Sequence, residues 1–138
     1  MVLFLAVAAS DQQKTEYGRK AEMTGAKIIF VNTGTNIQFR DNVVSVLERE
    51  LPGVLASDHL DATVDLILQF KIDSDGDGKG SATMLVLARP SAPDSVRILA
   101  KYEDSKTSIW TPKLSTVLVR RFIRDFVAAN PPQPKTQS

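Results

Sequence analysis

The sequence predicts an α+β fold, a two-layer sandwich in which two helices cover one face of a mixed β-sheet. Two segments, Val64–Asp73 and Val96–Glu103, alternate apolar and polar residues with the period of two that is typical of half-buried strands. A third, more apolar run, Ala82–Ala88, lies between them, so short connections predict an antiparallel three-strand meander. With one strand and one helix before the meander and one helix after it, the predicted order is β-α-β-β-β-α.

The first strand is predicted at Lys27–Asn32, where four apolar residues stand between polar ones. A helix follows from Thr35 or Asn36, since both are good N-caps, and Pro52-Gly53 ends it. We expect this crossover to leave the strands on either side of the helix parallel.

The last helix is predicted to begin at Thr111, which can cap it, and Pro112, which suits a first helical turn. Its apolar stripe consists of Val119, Phe122, Ile123, Phe126 and Val127. The resulting division of the chain is an α+β domain at residues 27–128, preceded by a polar linker at 10–26 and followed by a disordered tail at 129–138.

The composition is that of one soluble domain. The chain has 138 residues, 43% of them hydrophobic and 24% charged, and a formal net charge of +1. So small a net charge argues against a nucleic-acid partner. The absence of cysteine excludes disulfides, thiolate catalysis and thiolate metal sites.

The apolar segment Val2–Ala9 resembles the end of a secretory h-region, with Ala6-Val7-Ala8 as a cleavage site. Residues 1–9 are therefore predicted as a signal-peptide remnant, and the protein as exported to the periplasm or the extracellular space. The segment is too short to span a bilayer, so membrane insertion is not expected. The alternative is that it packs on the domain.

Two apolar residues, Ile67 and Leu99, interrupt the alternation and are predicted on the solvent face of the sheet. Together they predict a small apolar strip that serves as a partner surface. We expect the N-terminal segment or a partner to cover it. A protein partner or self-association is the kind of interaction that the sequence suggests.

A candidate calcium site lies in the turn between the first two meander strands. Asp73, Asp75 and Asp77 stand at positions one, three and five of a calcium loop, with Gly78 at position six. Position twelve, where a glutamate completes such a loop, is Met84, and the flanking elements are strands. A soluble hairpin turn explains the same residues. Calcium is the only cofactor that the sequence suggests.

A second candidate site is the turn from the first strand to the first helix. Backbone N–H groups of Thr33, Gly34 and Thr35 could hold an anion at the helix N-terminus. Neither a Gly-x-Gly-x-x-Gly pattern nor a Walker loop is present, and helix capping explains these residues equally. The lone histidine, His59, and the absence of a nucleophile-elbow motif predict that the protein is not an enzyme.

Two stretches resemble small exported bacterial domains of unknown function. One is the strand entry Asp61-Ala62-Thr63-Val64-Asp65-Leu66-Ile67-Leu68, and the other is Thr111-Pro112-Lys113-Leu114, which leads into the basic amphipathic helix. The resemblance covers residues 27–128 and implies a β-α-β-β-β-α domain of an envelope protein, in some cases lipoprotein-borne. The lipobox cysteine of such lipoproteins is absent here, and no functional residues carry over.

The sequence therefore favours a non-enzymatic binding or scaffolding domain of an exported bacterial protein. The alternatives are a weak calcium-binding module and a small-ligand or anion binder at the strand-to-helix turn.

Overall fold

The computed structural model describes residues 14–74, 80–106 and 112–131. These residues form a six-stranded mixed sheet and two helices, which confirms the predicted α+β fold. The strands are β1 (Lys14–Tyr17), β2 (Ile28–Asn32), β3 (Leu55–Ser57), β4 (Leu66–Ser74), β5 (Gly80–Ala88) and β6 (Ser95–Lys106), and the helices are α1 (Ile37–Glu50) and α2 (Pro112–Ala129).

The strand order across the sheet is β1-β6-β5-β4-β2-β3. The predicted meander is confirmed, because β5 runs antiparallel to β4 on one side and to β6 on the other. The predicted parallel arrangement of β2 and β4 is also confirmed, and β1 and β3 pair in parallel with β6 and β2. Strands β1, β2, β3, β4 and β6 therefore run in one direction, and β5 runs in the opposite direction. We call the end of the sheet where those five strands begin, and where β5 ends, the lower end.

Residues 14–26, predicted as part of a polar linker, instead form β1 and a 3₁₀ turn at Lys20–Met23. Gly18 lies between them, and a Cβ there would stand 2.5 Å from Leu99 Cδ2. Any larger residue at this position would require the Leu99 side chain to shift. Met23 is fully buried, so the turn contributes to the core despite its polar sequence.

The core lies between the two helices and one face of the sheet. Asn36 caps α1, because its Oδ1 accepts a hydrogen bond of 2.9 Å from the N–H of Phe39. The Phe39 ring meets Phe70 of β4 edge-on at 5.2 Å between centroids. In the middle strand β5, the residues that face the helices are Ala82, Met84 and Val86, which fixes a register that the sequence pattern left open.

A β-bulge in β6 corrects one prediction. Val86 pairs with Ala100 but Leu87 pairs with Ile98, so Leu99 is an extra residue in β6. Leu99 is only 4% exposed and belongs to the core cluster. The prediction that Leu99 lies on the solvent face is therefore wrong, and Ile98 takes that position.

Candidate binding surface

A row of apolar side chains crosses the helix-free face near the lower end of the sheet. Side chains alternate between faces along a strand, and paired residues of neighbouring strands share a face. Since Leu66 and Leu68 belong to the core, Ile67 faces away from the helices. The register continues from it in both directions, and the resulting apolar row consists of Tyr17, Ile98, Leu87, Ile67 and Phe30.

Water reaches much of this row and its margins. Tyr17 is 77% exposed at the β1 edge, Ile67, Ile98 and Phe30 are half-buried, and Leu87 at the centre is 9% exposed. Leu55, which pairs with Ile28 on the same face at the β3 edge, is 61% exposed. An apolar surface that continues across five strands is a feature of interaction sites.

The upper part of the same face is polar. Above the apolar row, Gln69 and Lys101 flank Leu85, and the next row holds Lys71, Thr83 and Glu103. The charged residues among these are exposed. The apolar surface is therefore one to two side chains wide.

A cleft continues the apolar row at the lower end. Its volume is about 360 Å³, and Ile67 belongs to both the row and the cleft. Leu60, in the loop between β3 and β4, is 59% exposed at the cleft. The other apolar lining residues are Ala62, Val64, Ala88 and Pro90.

The polar groups beside this cleft are engaged in holding the backbone. The Arg89 guanidinium donates to the carbonyls of Ala62 and of Val64, the latter at 3.2 Å. Asp65 Oδ2 accepts from the N–H groups of Lys27 at 2.9 Å and Ile28 at 3.0 Å. These bonds fix the β3–β4 loop and the start of β4, and they leave the lining apolar.

The carboxylates at the cleft are poorly suited to general acid–base chemistry. Hydrogen bonds from the Thr63 side chain and backbone lower the pKa of Asp61, and the N–H groups of Lys27 and Ile28 lower that of Asp65. A general base works best with a pKa near the working pH, so both shifts are in the unfavourable direction.

Two further polar clusters tie elements together. Arg97 of β6 bridges Glu16 of β1 at 3.3 Å and Glu22 of the 3₁₀ turn at 2.5 Å. The Tyr102 hydroxyl donates to Asp125 of α2 at 2.6 Å, and Lys20 lies 3.0 Å from the same Asp125 oxygen. Burial, then the hydrogen bond to Asp125, raises the pKa of Tyr102.

The anion-site residues lie in a turn whose polar groups bond to one another. Gly34 adopts a φ of 67°, the left-handed conformation that glycine permits. Its N–H donates to Asn32 Oδ1 at 3.0 Å, and Thr33 Oγ1 donates to the Asn36 carbonyl at 2.7 Å. Anion binding at Thr33, Gly34 and Thr35 stays a prediction.

Of the calcium-site residues, the structure describes Asp73, which is exposed and pairs with Ser81 in the sheet. Asp75 and Asp77 lie outside the described residues, so the calcium site also stays a prediction. Within residues 14–74, 80–106 and 112–131, no three histidine or acidic side chains are grouped so that they could hold a metal ion.

Sequence reasoning found one residue of the apolar row, Ile67, and missed the other four. The signal for Ile98 was present, because the run Ile98-Leu99-Ala100 breaks the alternation at the bulge. Phe30 and Leu87 lie in strands that are apolar on both sides, so the sequence pattern could not assign their faces.

No protein-family model matches this chain, and no curated protein sequence is significantly similar to it. In the part of the chain that the structure describes, no helix has the length and apolarity needed to cross a bilayer.

Proposed function

We propose that this protein is a non-enzymatic binding domain that takes an apolar polypeptide segment on its helix-free face. The observation that supports this function is the apolar row together with the cleft that continues it. The apolar row lies on the sheet face opposite the helices, and the cleft adjoins it at the lower end of the sheet.

The chemistry of the surface indicates the class of ligand. The row and the cleft offer aliphatic and aromatic side chains, whereas the adjoining charges of Arg89, Asp61 and Asp65 are bonded to nearby backbone and side-chain groups. Binding would then depend on the burial of apolar surface, at about 25 cal/mol per Å². Among the described residues, β1 and β3 are the edge strands of the sheet, and an edge strand is where an extended segment can pair.

We further propose that the domain acts outside the cytoplasm, as an exported bacterial protein. Support comes from the h-region-like segment Val2–Ala9 and from the resemblance of residues 27–128 to small envelope domains. A scaffolding role in an envelope assembly fits a domain whose candidate binding surface, the apolar row, is narrow.

Binding can be tested with a short peptide of alternating leucine and serine, which presents one apolar edge when extended. We expect the peptide to shift the amide NMR signals of the apolar row, and Ile67→Lys to abolish those shifts. The matched control is Val127→Lys, which charges an exposed apolar residue of α2. Equal binding by both variants, or shifts confined to another surface, would overturn the proposal.

A further inference from the structure

We infer that in the full chain the occupant of the apolar row is the chain's own segment Val2–Ala9. This inference rests on the proposed function, because it names the ligand of the same face. It adds that the face is regulated from within the molecule, since a bound N-terminal segment competes with any partner.

The width of the apolar surface favours a single segment over a second copy of the sheet. Packing two of these faces together would bury the exposed Lys71, Lys101 and Glu103 of the upper rows. Burying charges is costly even where they are paired, as Lys101 and Glu103 are at 3.7 Å. A single extended or helical segment covers the apolar row and leaves those charges in water.

The length of the row matches the length of the segment. The row spans five strands, and four strand spacings of about 4.8 Å amount to about 19 Å. Val2–Ala9 has eight residues, which reach about 26 Å when extended. All eight are apolar, as the row is.

The position of β1 brings the segment to the row. Lys14 pairs with Ser95 at the lower end of the sheet, and Tyr17, three residues further along β1, is the first member of the row. That separation is about 10 Å along the strand, and the four residues between Ala9 and Lys14 reach about 13 Å. The connection is therefore long enough to place Ala9 beside Tyr17.

A short tether makes even weak contacts effective. The four connecting residues, Ser10 to Gln13, are polar and hold the segment at an effective concentration in the millimolar range. Cleavage at Ala6-Val7-Ala8 would remove this cover and free the row for a partner in trans.

A nitroxide label on the full-length chain tests the placement directly. The chain has no cysteine, so Gln69→Cys gives a single labelling site on the helix-free face, one row above Ile67. We expect this label to broaden the amide signals of residues 2–9 beyond detection. The matched control is a label at Glu48→Cys on α1, which should leave those signals intact. Signals that survive the Gln69→Cys label would overturn the inference.

The source of the segment is tested by mixing. Isotope-labelled chain without nitroxide is combined with unlabelled chain that carries nitroxide at Gln69→Cys. Unchanged signals of residues 2–9 in this mixture support docking within one molecule. Their loss would show that the segment docks on a second copy, which contradicts the inference.

A segment variant separates this inference from the proposed function. Leu3→Asp combined with Leu5→Asp should release the segment and strengthen binding of the leucine–serine peptide by about tenfold. If the peptide binds both proteins equally and the nitroxide has no effect, the face binds ligands but the segment is not its occupant. If the nitroxide acts and neither protein binds the peptide, the segment docks and the proposed function is wrong.

Discussion

Strand β5 carries apolar residues on both sides, and the structure covers the two sides differently. Met84 and Val86 face the helices and are fully buried, whereas Leu85, between them, faces away and is half-buried. A strand that is apolar on both sides is typical of a sheet covered on both faces. The helices cover one face here, so the second set of apolar residues is better explained by binding than by folding.

The largest expected difference between the two faces comes from removing one phenylalanine on each. Phe122 of α2 is fully buried, so Phe122→Ala should lower the free energy of unfolding by about 3–5 kcal/mol. Phe30→Ala, in the apolar row, should cost about 1–2 kcal/mol because its ring is already partly in water. Unfolding in guanidinium chloride measures the free energy of unfolding of both variants. Equal losses of stability would show that the helix-free face is packed as tightly as the core.

A polarity swap within β5 compares the faces at adjacent positions. Val86→Thr keeps the shape but buries a hydroxyl against the helices, which should cost about 2–3 kcal/mol. Leu85→Thr places its hydroxyl in water and should cost less than about 1 kcal/mol. Thermal unfolding of the two variants measures these losses of stability. A larger loss for Leu85→Thr than for Val86→Thr would reverse the assignment of the faces.

The sequence was sufficient for the parts of the fold that have strict periodicity. Alternation located β4 and β6, and capping residues narrowed the start of α1 to Thr35 or Asn36, of which Asn36 is the cap, because these signals depend on local geometry. The register of β5 could not be predicted, since Ala82–Ala88 is apolar on both sides and either set of residues could face the core.

The edge of the sheet and the binding surface were harder to predict. β1 is a polar strand whose pairing depends on Glu16, Gly18 and the distant Arg97, so nothing within Lys14–Tyr17 marks it as part of a sheet. The apolar row requires the register of five strands at once, including the bulge at Leu99. Long-range pairing of this kind leaves little trace in the local sequence pattern.

The two tyrosines offer a smaller test of the same contrast. Tyr102→Phe removes a buried hydroxyl that donates to Asp125, and should lower the free energy of unfolding by about 1–2 kcal/mol. Tyr17→Phe, the control in the exposed row, should be nearly neutral. The pKa of Tyr102 is raised in the folded protein, so the protonated hydroxyl stabilises the fold. This contribution to the free energy of unfolding is present below about pH 10 and is lost as the pH rises further. Urea unfolding should therefore show weaker alkaline loss in Tyr102→Phe, and an unchanged alkaline profile would contradict this.

The smallest expected effect concerns the joint between β2 and β4, which keeps Phe30 beside Ile67. Asp65 accepts two backbone N–H groups there, and these bonds lower its pKa, so its ionised form stabilises the fold. This contribution is present above the unfolded pKa of about 4 and is lost as the pH falls through the lower folded value. Asp65→Asn should therefore lower the urea midpoint more at about pH 7 than at about pH 3, where the carboxyl of the unfolded chain is already largely protonated. The control Asp94→Asn, in the exposed turn between β5 and β6, should shift neither midpoint. A shift of the same size at both pH values for Asp65→Asn would mean that the joint depends on the shape of the side chain and not on its charge.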